Sequence, residues 1–173
     1  MAQVFVNYEG GIMDKKLLKA MNEQINKEMF SAYLYLGMAV YLEKKTLLGC
    51  SKWMQLQAKE EMEHAMKIFH YLLERGCEVE LDAIAKPSVD YSSVKDVFQK
   101  TLKHEQFVTA SINKLYETAV AANDNAAGIF LQWFVAEQVE EESHASEILG
   151  QLDYIKDDSP AMLMLDKALG ART

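Results

Sequence analysis

Four acidic residues stand where leucine or valine belongs. Apolar residues recur at helical spacing in four long segments, and a carboxylate breaks each series near its middle. Glu28 lies between Ile25 and Ala32, Glu61 between Ala58 and Ala65, Glu105 between Leu102 and Val108, and Glu141 between Phe134 and Ala145. Burying one ionised carboxylate is costly, and several facing each other cost more. No Lys or Arg occupies a stripe position to neutralise them. Protonation would relieve the repulsion, as in carboxylate pairs that share a proton. A bound cation would neutralise the whole set at once. His64 follows Glu61 by one helical turn, so the two share a face with Cβ atoms about 5–6 Å apart, close enough to hold one ion. An oxygen-rich set with one imidazole suits Fe, Mn or Zn, and the ligand types do not choose among them.

Taken singly, these signals are weak. A lone glutamate in an apolar stripe is ordinarily a solvated edge residue, and a lone histidine is ordinarily core or surface. Four interruptions at one level favour metal. The same 33 residues separate Glu28 from Glu61 and Glu105 from Gln138, so each pair falls at matching height if the segments form two hairpins. The fourth segment leaves two pairings open, Gln138 with Glu141 or Glu141 with His144. The second repeats the E-E-x-x-H-A pattern of residues 60–65 at 140–145, whereas the equal spacing favours the first.

The elements that must position these residues are long helices. The first is expected from about Asp14 to Glu43, with Leu18, Met21, Ile25, Ala32, Leu36 and Ala39 inward. The second runs from about Thr46 to Arg75, and Gly76 stops it. The third starts near Ser92 and carries Val94, Phe98, Leu102, Val108, Ile112 and Leu115. The fourth follows Asn123-Asp124-Asn125 and carries Phe130, Phe134, Ala145, Ile148 and Leu152. A short fifth helix is announced by Ser159 as N-cap and Pro160 at the first helical position, and Gly170 ends it. Short turns make hairpins of the first and second pairs. Between the hairpins, Cys77 to Tyr91 is a stretch of about 15 residues that can reach about 50 Å, against about 42 Å for a helix of about 28 residues. The expected fold is all-α: a four-helix bundle with one long crossover between two hairpins and a short fifth C-terminal helix. Residues 13–173 read as a single domain. Residues 1–12 read as an N-terminal extension without a folded role, although VFVNY could form a strand or arm.

Composition narrows the partners. At 173 residues the chain has the size of one domain, and only two prolines and eight glycines interrupt it. The net charge of −8, with no basic stripe, argues against nucleic acid. Cys50 and Cys77 are isolated and read as reduced thiols. The first residues lack a basic region followed by an apolar one, and no apolar run approaches membrane-spanning length. A soluble, cytoplasmic protein without a membrane partner is expected.

Longer segments carry a resemblance. NEQINKEMFSAYLYL, KEEMEHAMKIFHYLLERG, KHEQFVTASINKL and FLQWFVAEQVEEE closely resemble the corresponding segments of prokaryotic non-haem ferritins. The likeness covers residues 14 to about 170 and places the chain beside the ferritin-like di-iron carboxylate bundles, whose arrangement is already described. It implies a first iron held by Glu28, Glu61 and His64, and a second by Glu61, Glu105 and Glu141, with Glu61 bridging. It implies a third iron site formed by Glu60, Glu137, Glu140 and Glu141. Tyr35 matches the site tyrosine of the family, and Gln138 lines the centre; both are implied in catalysis. The resemblance favours Gln138 with Glu141 over His144.

The implied function is iron storage and detoxification. Two Fe(II) ions bind, reduce dioxygen or peroxide, and pass inward as Fe(III) for storage as mineral. The resemblance further implies a homo-oligomeric shell of twenty-four subunits with the fifth helix near its four-fold axes. Bacterioferritins carry Glu and His where Gln138 and Glu141 stand, so no haem is expected even though Met62 matches their haem-ligating position. Rubrerythrins add a cysteine-ligated iron domain that is absent, and the miniature ferritins that coat DNA lack this bundle-centre set. Animal ferritins place acids at the three-fold channel where this chain is expected to present Gly128 and Leu131, which leaves the route of iron uptake open. Two rivals remain: a di-iron oxidase or oxygenase acting on an organic substrate, and a bundle with a structural or interaction role only. Size separates them, because twenty-four copies of a 19.7 kDa chain amount to roughly half a megadalton.

Overall fold

The computed structural model describes residues 13–172. Five helices follow in order: α1 (Lys15–Lys44), α2 (Leu48–Glu74), α3 (Val94–Ala121), α4 (Asn125–Leu152) and α5 (Pro160–Gly170). Helix α1 packs on α2 and α3 on α4, as two hairpins; α1 also lies along α3, and α5 packs on α2. The result is a four-helix bundle with one long crossover and a short fifth helix, and no strand occurs among the described residues. Residues 1–12, where a strand or an extension was in question, lie outside the described residues. No described helix is long and apolar enough to cross a membrane.

The helix ends follow from local chemistry. The Asp14 carboxylate accepts from Lys16 N and Leu17 N at 2.9 and 3.1 Å, satisfying two of the orphan N–H groups of α1. At the far end of α2, Gly76 adopts φ +66, with Gly76 N donating to Leu73 O and Cys77 N to Leu72 O. This paired closure needs a left-handed residue. Thr46 (φ 59) and Asn123 (φ 54) occupy the same position after α1 and α3. Asn tolerates it; a β-branched Thr is strained there. Asp124 then caps α4 through Ala127 N at 3.0 Å and takes a two-pronged bond from Arg75 at 2.8 and 3.2 Å, fastening α2 to α4 at that end.

The crossover runs along α1. Asn22, buried, donates to Glu78 O and accepts from Glu80 N, at 3.2 and 2.9 Å. Four turns on, Gly37 lets the chain close in: a Cβ there would stand 2.4 Å from Ser88 O. These two anchors replace the regular hydrogen bonds that the crossover lacks.

Inward residues largely match the expected stripes, with four shifts. Leu36 is 46 % exposed, and Leu18, Leu102 and Phe130 are only half-buried. Leu17, Tyr35 and Thr101 take the inward positions of the first three, and Leu131 sits fully buried beside Phe130. The residues differ by one position in each case. A helix advances about 100° per residue, so a neighbour on the stripe's edge looks equivalent in sequence yet faces partly outward.

The apolar core is divided. One cluster gathers Tyr35, Met38, Leu42, Met54, Phe98 and Leu152, and the other Leu17, Met21, Ile25, Ile68, Ile112 and Leu131. Between them lies a layer of buried polar side chains. That layer holds the candidate site.

Candidate metal centre

Each of the four long helices contributes to the polar layer. Glu28 of α1, Glu61 of α2, Glu105 of α3 and Glu141 of α4 are exposed by only 1 %, 2 %, 1 % and 6 %, and His64 and Gln138 are buried with them. Glu28, Glu61 and His64 each offer one ligand atom, and these atoms all lie within 4.8 Å of one another. Glu28 Oε2 and Glu61 Oε2 are buried with no donor from any other residue, and only a proton shared between the two carboxyls, or a cation, would satisfy them. Buried acceptors are nearly always satisfied, so two orphaned carboxylate oxygens beside an imidazole fit a cation. His64 Nδ1 stands 3.8 Å from Glu61 Oε2, too far for a hydrogen bond, and its ring packs edge-on against Trp133 and Phe134.

The other carboxylate oxygens are held. Gln24 Nε2 donates to Glu28 Oε1 at 2.8 Å, Ser111 Oγ donates to Gln24 Oε1 at 2.6 Å, and Lys27 Nζ donates to Ser111 at 2.8 Å. This chain ends in a cation outside the layer and fixes the glutamate within it. The Tyr35 hydroxyl donates to Glu105 Oε1. Gln138 Nε2 lies 3.3 Å from both Glu105 Oε2 and Thr109 Oγ1. Gln57 Nε2 donates to Glu141 Oε2 at 2.7 Å. Such partners orient ligands and tune their basicity.

Electrostatics put the layer under tension. Burial pushes Glu61 well above the ordinary carboxylate range, and the charges of Glu28 and Glu105 add to it. Burial likewise raises Glu28, against the opposing bond from Gln24. Glu105 is lifted by burial to about 8, although the Tyr35 hydroxyl opposes the shift. Glu141 is raised by burial and partly relieved by Gln57. Burial also keeps the Tyr35 hydroxyl protonated far above its usual range, which suits it as a donor. Without a cation Glu105 holds its proton up to about pH 8 and burial opposes ionisation of the others; a divalent ion would favour the charged forms.

A second acidic surface opens beside the buried layer. A cleft of about 400 Å³ between α2 and α4 is lined by Glu60, Glu137, Glu140 and Glu141 together with His64, His144 and Arg172. Glu60 and Glu137 are half-buried and Glu140 is exposed. Arg172 Nη2 donates to Glu60 Oε2 at 2.6 Å. Glu141 belongs to both the layer and the cleft.

A bundle of this topology, with carboxylates from all four helices meeting at its centre, agrees with a sequence profile: the ferritin-like domain matches residues 18–155. The chain belongs to the ferritin-like family. It is 41 % identical over 162 residues to the bacterial non-heme ferritin of Staphylococcus aureus, covering 94 % of this chain and 98 % of that protein. It is 36 % identical over 159 residues to a probable bacterial non-heme ferritin-like protein of Haemophilus influenzae, covering 92 % and 96 %. Among solved structures, an open pore ferritin of the hyperthermophilic archaeon Archaeoglobus fulgidus superposes with a TM-score of 0.92 at 44 % identity, covering 94 % of this chain and all of that one. A closed form engineered from the same archaeal ferritin gives 0.91 at 44 % identity, covering 94 % and 99 %.

Within this ferritin-like frame the remaining residues fall as follows. Tyr35 and Gln138 both face Glu105 from opposite helices, α1 and α4. His144 is exposed at the mouth of the outer cleft, whereas Gln138 is buried in the layer. Met62 is 41 % exposed on the outer face of α2. Leu131 is buried within the chain, because it continues the inward series of Ala127 and Phe134, whereas a Cβ on Gly128 would meet nothing within 4 Å. Ile129 faces outward there instead, 70 % exposed. Gln24, Gln57, Ser111 and Arg172 were not apparent as site residues from sequence. One signal was available: Gln24 and Gln57 each precede a site glutamate, Glu28 and Glu61, by four residues.

Proposed function

We propose that this ferritin-like chain is the subunit of an iron-storing shell and oxidises Fe(II) at the centre of its own bundle. The observation that carries this reading is the pair of orphaned oxygens, Glu28 Oε2 and Glu61 Oε2, buried beside His64. One Fe(II) is taken by Glu28, Glu61 and His64, a second by Glu61, Glu105 and Glu141, with Glu61 serving both. Iron is substrate and cargo here. Burial keeps Glu105 protonated up to about pH 8, so uptake of Fe(II) there releases a proton to solvent. Hard carboxylate oxygens favour Fe(III) over Fe(II), which drives oxidation. Two Fe(II) give up two electrons. One dioxygen takes them with two protons and leaves as hydrogen peroxide, or one peroxide takes them with two protons and leaves as two waters. Tyr35 and Gln138 hold Glu105 in place while its charge changes. Glu60, Glu137, Glu140 and Glu141 form a third iron site in the outer cleft, on the way to or from the buried pair. Fe(III) collects as mineral inside a shell of twenty-four subunits.

Anaerobic titration with Fe(II), followed by a pulse of oxygen, tests the reading. Saturation at two or three Fe(II) per chain and a fast oxidation of the first two are expected. Sedimentation should give an assembly of roughly half a megadalton. A monomer or dimer that binds no Fe(II) would overturn the proposal.

A further inference from the structure

Arg172 lies two residues beyond α5, and three contacts hold it against the outer cleft. Its guanidinium donates to Gln57 Oε1, donates to Glu60 Oε2 at 2.6 Å, and lies 5.0 Å from the centre of the Trp53 ring. The planar fork of arginine orients both polar partners at once. Gln57 passes the constraint inward, because its amide N–H donates to Glu141. Arg172 thus grips a carboxylate of the outer cleft directly and reaches a carboxylate of the buried layer through one glutamine.

Helix α5 delivers the guanidinium to this place. Gly49 and Gly170 meet at the crossing of α2 and α5, where a Cβ on Gly170 would stand 3.0 Å from Gly49 Cα. Asp166 Oδ1 accepts from Cys50 N at 2.8 Å, and Lys52 Nζ donates to Gly170 O at 3.0 Å. The other cation of the cleft, Lys67, sits over the Trp133 ring at 4.1 Å and forms no ion pair among the described residues. Lys59 pairs only with Glu63 at the edge of the cleft, at 3.6 Å, so among the described residues Arg172 is the cation that occupies a carboxylate of the proposed third site.

We propose that Arg172 is a resident cation that gates the outer carboxylate cleft, and that a divalent ion takes Glu60 only by displacing it. This inference rests on the functional reading above. The ion that enters is held more weakly than the carboxylates alone would hold it. A weakly held outer ion suits a cleft that passes iron on rather than keeping it. Arg172 acts here as a positioning residue, through Glu60 and Gln57.

Calorimetric titration of the intact protein with Zn²⁺, which does not change oxidation state, provides the test. Arg172→Gln should bind the outer ion about fivefold more tightly, the scale of a partly exposed ion pair, with the buried ions still bound. Arg172→Lys keeps the charge but loses the fork that spans Gln57 and Glu60, so its outer affinity should fall between those of the wild type and Arg172→Gln. In a Glu60→Gln background, Arg172→Gln should lose most of its effect, because the carboxylate in dispute is gone and only the path through Gln57 is left. Unchanged or weaker outer binding in Arg172→Gln overturns the gate, as does an effect that stays at full size without Glu60. Should wild-type protein fail to bind Zn²⁺ at Glu28, Glu61 and His64, the functional reading falls and the gate with it; normal filling there with an inert Arg172→Gln removes the gate alone.

Discussion

Glu61 meets more of its neighbours' charge than any other ligand in the layer: burial, Glu28 and Glu105 all oppose its ionisation, and one of its oxygens has no donor. Assigned to both irons, it is the residue whose loss should cost most. Glu61→Ala should slow oxidation of the first two Fe(II) by about tenfold or more, a scale set by what even outer partners of metal sites cost. The fold should survive, since a carboxyl group that is costly to bury has gone. Stopped-flow kinetics at two Fe(II) per chain decides it, and an unchanged rate rejects the bridging role. Glu105 gives a second expectation, on pH. Its carboxyl titrates at about 8 in the folded chain, against an ordinary value of 4.5. Between those limits the folded state keeps a proton that the unfolded chain has lost, so the metal-free protein loses stability as pH rises through that window. Melts in chelator should give a lower Tm at pH 8 than at pH 5, and Glu105→Gln should shrink the gap. Equal gaps in both proteins would refute this. The four glutamates were legible because an acid in an apolar stripe is conspicuous. Tyr35 was legible only by resemblance, since an aromatic in a stripe reads as core. Gln24 and Gln57 were not, because a glutamine beside a stripe reads as solvated, and only folding shows which carboxylate each one grips.

At the scale of elements, the helices and their stops were readable from caps and periodicity, down to Gly76 and the Ser159-Pro160 start of α5. The docking of α5 was not. It depends on Asp166 reaching the N–H of Cys50, which compensates for a helix start at Leu47 that has no side-chain cap. A hydrogen bond across 116 residues leaves no mark in local sequence. It also depends on Gly49, where a Cβ would stand 1.8 Å from Asp166 O, inside any tolerable contact. Gly49→Ala should therefore lift α5 off α2 and cost about 1–3 kcal/mol, the usual penalty for overpacking. Chemical denaturation would measure the loss, and limited proteolysis should cut the segment between Leu152 and Ser159 sooner than in the parent protein. Identical proteolysis would show that the crossing can yield.

For the whole molecule, two questions remain joined: how the chain assembles and what α5 does for the assembly. The outer faces carry large exposed apolar side chains, among them Leu36, Phe107, Ile129, Val139 and Met164. These side chains are available for contact with other chains, in keeping with the proposed shell. Helix α5 is too short to fold alone and owes its order to α2. Deleting residues 159–173 should weaken assembly or mineral retention, as read by sedimentation and by iron remaining after passage over a chelating column. Full assembly with normal retention would leave α5 without that role. The topology itself was legible, because two short turns and one long connection allow few alternatives. The division of the core into two apolar halves follows from it.

That division inverts the usual rigidity of a helical bundle. Ordinary bundles are tightest at mid-length and fray at their tips. Here the waist holds four buried carboxyls facing one another, while a well-packed cluster lies on each side. The metal-free chain should then breathe at its middle. Amide hydrogen exchange should be faster around Glu28, Glu61 and Glu105 than around Ile25, Ile68 and Phe98, and a divalent ion should slow the waist selectively. Uniform protection along α1 to α4 in chelator would contradict this. On the proposed function the cargo would be a temporary keystone, each departure of iron returning the bundle to a looser shape ready for the next pair.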